Sequence, residues 1–206
     1  MTTIQDNGYP PPPAGYQPAV RFQYPKIKLQ IAALVVLAVI TPLILFLAWM
    51  LQRPSAERPF FIVDGFIDLI PVIVTALAIT TIHELVHGLT YQLLGYKVSY
   101  GVSAHLFAAY AAAFKQWQKR NHNLAVALAP LVILTGLFLP MLAIQNRVVV
   151  LVAVTALMMN TAGAVGDMYL CWQLLRMPRT TLLYDMDIKT MLVYKPEVQD
   201  RIKQKK

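Results

Sequence analysis

Four stretches of this chain are apolar for more than twenty residues each, and they restrict the fold more than any other feature. They run from about Leu29 to Met50, Pro71 to Leu94, Asn123 to Ala143 and Val148 to Trp172. Roughly 20 apolar residues in a helix cross the hydrocarbon of a bilayer. Lipid offers no hydrogen-bond partner, so a segment inside it must satisfy its own backbone, as a helix does. With 57% apolar and 14% charged residues, the chain reads as an all-α membrane protein of four transmembrane helices and not as a soluble domain. Gln145, Asn146 and Arg147 leave room only for a tight antiparallel link between the last two spans. Residues Phe60 to Ile70, if joined to the second span, would make a helix about 50 Å long, more than the membrane needs. The expectation is therefore a break at Pro71, with Asp64 and Asp68 at water or the interface.

Basic residues orient the spans. Fifteen Lys and Arg fall in the two tails and the loop after the second span, against Arg53, Arg58 and Arg147 in the remaining loops. The positive-inside rule then puts both termini in the cytoplasm, here beneath a bacterial inner membrane. The net charge of +8 reflects this bias and gives no reason to expect nucleic acid. The single Cys171 rules out an internal disulfide framework. Residues 1–27 form a polar tail with prolines from Pro10 to Pro13, expected to be disordered with polyproline-II character, as is the basic end at 198–206. Between them lie a membrane domain over 28–178 and a hairpin-like segment over 179–197.

Inside the second apolar run stand His83, Glu84, Leu85, Val86 and His87. Ionisable groups at that depth are expensive and point to function. Residues i and i+4 share one face of a helix, so both imidazoles can reach a single ion. Glu84, about 100° around the axis, can hold a water beside that ion instead of the ion itself. With four His and three Glu among 206 residues, chance gives roughly 0.001 occurrences of this pattern. Zinc is the expected ion, because imidazole and carboxylate ligands with one open position are its usual catalytic arrangement.

Two histidines leave such a zinc one protein ligand short. Asp167 is the candidate, because Asn160, Gly163, Ala164 and Asp167 fall at i, i+3, i+4 and i+7 on one face of the fourth span. The small residues let a neighbouring helix approach, and the two polar ones then point into the bundle. Counted from the cytoplasmic ends of their spans, His83, His87 and Asp167 lie about 16, 10 and 8 Å deep. Asn160 either contacts substrate, polarising the scissile carbonyl, or joins helix to helix. Gly88 reads as a close-packing position, and His105 and His122 as loop or interface residues.

Outside the spans, alternation around Val98, Tyr100 and Val102 suggests a strand, paired as a hairpin with Leu106 to Ala111. Beside a metal, its edge could hold an extended peptide. Thr180 to Asp185 and Met191 to Lys195 read as a second hairpin over the mouth of the site.

These residues resemble the "putative zincin peptidase" family of small bacterial membrane proteins, which is distantly similar to the site-2 proteases. The resemblance rests on His83 to Gly88, Ala129-Pro130, Gly166-Asp167, Tyr184-Asp185 and Val193 to Pro196. It implies an intramembrane zinc metalloprotease with His83, His87 and Asp167 as ligands and Glu84 as base, acting on membrane-embedded or membrane-associated peptides. Unlike the site-2 proteases, the chain has no proline between Asn160 and Asp167, and Met168 follows the aspartate. A zinc-binding scaffold and a metal or ion transporter are the competing readings. A carboxylate beside the ion that is not a ligand, Glu84, argues against both.

Overall fold

The long apolar runs are helical in the computed structural model, which describes residues 8–52, 66–103 and 108–197. The chain order begins with α1 (Lys26–Leu51) and α2 (Phe66–Leu93), followed by α3 (Arg120–Phe138) with a 3-10 turn at Pro140–Ala143. These three are long and apolar enough to cross a membrane. Helices α4 (Arg147–Gly163) and α5 (Val165–Leu175) make a fourth span only when taken together. In α1 only Ile44 and Ala48 are buried, and Leu34, Phe46, Leu77 and Val132 stand exposed on the outer faces of the bundle. Such a surface suits lipid, which solvates leucine as well as a protein interior does.

Helix α4 is the hub. Its Val150, Val154 and Leu157 pack with Ile44 and Ala48 of α1 and with Leu142 of the 3-10 turn, and Ala156 meets Ile79 of α2 and Leu134 of α3. Alanines at 153 and 156, both fully buried, let three neighbours approach one helix closely. The short link before α4 is also used for capping, since Asn146 accepts the amide of Val149 at 3.2 Å.

The spans differ from their sequence reading in two places. Helix α2 runs uninterrupted through Pro71. Proline there is the sixth helical residue, so it forfeits one backbone bond just past the four amides that lack partners at any helix start. Asp68 therefore belongs to the first turn of α2, while Asp64 lies outside the described residues. The fourth apolar run is not one straight helix but two, α4 and α5, bent by 42°. Ala164 carries the bend, with ψ at −5° instead of the helical value near −42°.

Both expected hairpins form. Strands β2 (Ser99–Ser103) and β3 (Ala108–Ala112) pair antiparallel, with Gly101 opposite Tyr110. A Cβ on Gly101 would sit 2.5 Å from the Tyr110 hydroxyl, so the ring lies over the glycine. Strands β5 (Leu182–Asp187) and β6 (Thr190–Tyr194) make the second hairpin. They belong to a larger unit, a four-stranded sheet in the order β1-β6-β5-β4, with β1 at Val20–Arg21 and β4 at Trp117–Lys119. From Gly8 onward the N-terminal tail is therefore not the solvated coil expected of it. Val20 pairs with Val193, the Tyr194 hydroxyl donates to the Pro10 carbonyl at 2.8 Å, and that of Tyr16 donates to Thr180 at 2.8 Å. A segment too polar to build a core can still borrow a sheet edge and its hydrogen bonds. Residues 1–7 and the basic end at 198–206 lie outside the described residues, as does His105.

Every strand lies at the end of the bundle where α1 and α3 start and α2 and α5 finish. Arg120, almost fully buried, ties that end together by donating from Nε to the Leu174 carbonyl at 2.6 Å. That carbonyl, in the last turn of α5, also accepts the Met177 amide at 3.0 Å, so Arg120 uses its second lone pair.

Candidate metal centre

His83 and His87 face the bundle interior from successive turns of α2, with ring centroids 4.9 Å apart. Both are buried. The bend at Ala164 turns the first residues of α5 toward them, and Asp167 Oδ2 comes to 3.1 Å from His83 Nε2 and 3.3 Å from His87 Nε2. Gly163 lies against His83, where a Cβ would stand in ordinary contact, 3.8 Å from Cε1. His83, Glu84 and His87 also present one ligand atom each within 4.8 Å of one another. The structure thus brings His83, Glu84, His87 and Asp167 together.

The far side of each imidazole is held as well. His87 donates from Nδ1 to the Val126 carbonyl at 2.9 Å, an acceptor that admits no other tautomer. His83 Nδ1 lies 2.9 Å from Asn160 Oδ1. The Asn160 amide nitrogen faces the Pro130 carbonyl at 3.3 Å and Thr135 Oγ1 at 3.5 Å, so its oxygen must be the end turned to His83. Asn160 therefore stands behind His83, fully buried, with oxygen and nitrogen both engaged by the protein.

These bonds decide what lies on the near side. With Nδ1–H donating on both rings, each imidazole, when neutral, turns its Nε2 lone pair toward one carboxylate oxygen. Such a convergence on one oxygen is held together by a proton on Nε2 or by a metal ion among the three atoms. A tetrahedral zinc with bonds near 2.0–2.1 Å sets its ligands roughly 3.3 Å apart. The separations of 3.1 and 3.3 Å match that edge. The donor set fits zinc.

Glu84 points elsewhere. Its Oε2 accepts the Ala111 amide at 3.3 Å, and it borders a cavity of about 310 Å³ with His87, Asp167, Tyr110, Ala111 and Asp185. Strand β3 thus turns the edge that does not face β2 toward this cavity. Gly88 supports the hairpin from below, since a Cβ on it would fall 2.4 Å from the Tyr100 ring.

Residues 76–182 match the family model described as "putative zincin peptidase", just over half of the chain. The chain belongs to the putative zincin peptidase family. The matched range runs from within α2 to the start of β5 and contains His83, Glu84, His87, Asn160 and Asp167. No curated protein and no solved structure matches the chain. Zincin membership and the His–Glu–His group together support a metallopeptidase, and both imply zinc.

Other residues around this zincin-family site were given no role in it by the sequence. Phe22 and Tyr24, from the tail, line the cavity. Asp185 is buried on β5 and accepts Gln118 Nε2 at 2.9 Å. Gln118 also lies 3.2 Å from the Tyr91 hydroxyl, which lies 3.1 Å from Asn123 Oδ1. Burial pushes the Asp185 carboxyl up to about 6, against a smaller opposing pull from the Gln118 amide. One signal did exist. Asp185 is in phase with Leu183 in an alternating strand, which places a carboxylate on the buried face. His122 lies in the first turn of α3, its Nδ1 2.9 Å from the Tyr96 hydroxyl.

Proposed function

We propose that this protein is an intramembrane zinc metallopeptidase that cleaves membrane-embedded or membrane-associated peptides, with His83, His87 and Asp167 as metal ligands. The observation that carries the reading is the convergence of the Nε2 atoms of His83 and His87 on one Asp167 oxygen, at 3.1 and 3.3 Å. Three or four apolar helices around that site support its placement within a membrane. The distribution of Lys and Arg supports a sheet end that faces the cytoplasm.

A zinc held by these ligands supplies a Lewis acid that acidifies water and polarises a peptide carbonyl. Glu84 is the general base. It borders the cavity on the side of the two imidazoles, is not needed as a ligand, and takes a proton from the attacking water as the water oxygen adds to the carbonyl carbon. Glu84 then returns that proton to the departing amide nitrogen as the C–N bond breaks. Asn160 acts through His83, holding its ring and tautomer. Strand β3 offers its outer edge to an extended substrate, which gains main-chain hydrogen bonds there and exposes an amide that a helix would shield.

Glu84→Gln tests this directly. The purified variant in proteoliposomes should keep one zinc per chain and lose about 10²- to 10⁴-fold in cleavage of a membrane-spanning reporter. Undiminished cleavage by that variant would remove Glu84, and with it the mechanism.

A further inference from the structure

Pro130 is the eleventh of nineteen residues in α3 and is fully buried. A proline in mid-helix has no N–H, so the carbonyl four residues earlier loses its helical donor. Four residues before Pro130 is Val126. That carbonyl is the one that accepts His87 Nδ1 at 2.9 Å. The carbonyl of Pro130 itself accepts the Asn160 amide at 3.3 Å, and Asn160 Oδ1 holds His83. The far sides of both histidines thus lead back to a single turn of α3.

We propose that Pro130 is a positioning residue of the metal centre: by withholding an N–H from Val126 it reserves that carbonyl for His87, and its own carbonyl anchors the amide that orients His83. The inference rests on the metallopeptidase reading and deepens it. Orienting partners behind a metal-bound imidazole fix its tautomer and raise its basicity, and their loss typically weakens metal binding by about 10- to 100-fold. In a chain with an ordinary residue at 130, the restored N–H competes with His87 for Val126. A carbonyl has two lone pairs and can be shared, so the expected loss sits at the lower end of that range.

The test separates the missing N–H from the proline ring. Pro130→Ala restores the N–H. Lactic acid placed at position 130 has the same methyl side chain but an ester oxygen in place of the N–H. Zinc affinity is read by chelator competition, and ligand geometry by the visible spectrum of the cobalt-substituted protein. Pro130→Ala should bind zinc about tenfold more weakly with no loss of thermal stability in the metal-free protein, since alanine is the better helix former. The lactic acid variant should bind as the unaltered chain does. Pro42→Ala, at an exposed position on α1, serves as the control and should change nothing. If alanine binds zinc as proline does, or lactic acid binds as weakly as alanine, Pro130 is not a positioning residue. If the unaltered chain takes up no zinc, the metallopeptidase reading fails first and takes this proposal with it.

Discussion

Asn160→Ala distinguishes a residue that holds a ligand from one that contacts substrate. Asn160 Oδ1 accepts His83 Nδ1 at 2.9 Å in a fully buried setting, while its amide contacts at 3.3 and 3.5 Å are long. Truncation leaves the imidazole N–H without an acceptor, a loss of about 1–3 kcal/mol when no water replaces it. The His83 ring is then free to turn or change tautomer. A loss of that orienting bond corresponds to about 10- to 100-fold in metal affinity, or about 1.4–2.7 kcal/mol, which agrees with the hydrogen-bond figure. Zinc competition with a chromophoric chelator measures the affinity, and cleavage of a membrane-spanning reporter is followed as free zinc is raised. Turnover should recover at saturating zinc, with KM unchanged. The opposite pattern, intact zinc affinity with kcat down by about 10²- to 10³-fold, is what loss of a carbonyl-polarising donor produces. That pattern would refute the positioning role.

Two further outcomes follow from the sheet end of the molecule. Asp185 titrates near 6 in place of its usual 3.8, so the folded state holds its proton more tightly than the unfolded chain does. Its contribution is intact below about pH 4 and is lost as pH rises through about 6, for a total of about 3 kcal/mol. Asp185→Asn keeps an acceptor for Gln118, so melting in detergent should show a variant more stable than wild type at pH 8 and closely matched to it at pH 4. Equal or lower stability at pH 8 would mean the buried charge is not costly. Gly88→Leu must displace the Tyr100 ring by about 1 Å, from 2.4 Å to ordinary contact, and the β2–β3 hairpin with it. Misplacement on that scale can lower peptide cleavage by about 10²-fold with zinc binding unchanged. Adding Tyr100→Ala should restore cleavage, and failure of that rescue would count against the hairpin as the substrate-bearing element.

Much of this was legible in the chain because bilayers and helices impose simple periodicities. Spans appear as long apolar runs, two ligands as a spacing of four, and a docking face as Asn160, Gly163, Ala164 and Asp167. Proline-free alternation marked both hairpins. What misled was local arithmetic applied without neighbours. Pro71 looks like a break until it is counted from the true start of α2, where it removes one bond. The N-terminal tail looks unstructured until β6 offers it an edge, since strand pairing between residues some 170 positions apart leaves no trace in either segment alone.

By itself the sequence determined that the chain is mostly helical, with helices long and apolar enough to cross a membrane, and that His83 and His87 share a face near Glu84. It also narrowed the proposed third ligand to one carboxylate, because a long apolar run carries so few ionisable groups. Tertiary structure decided the rest. Only the bend at Ala164 aims Asp167 at both imidazoles, and only the packing of α2 against α3 and α4 shows which carbonyl and which amide hold their far sides. Those relations depend on directions in space between separate helices, and spacing along one helix cannot encode them.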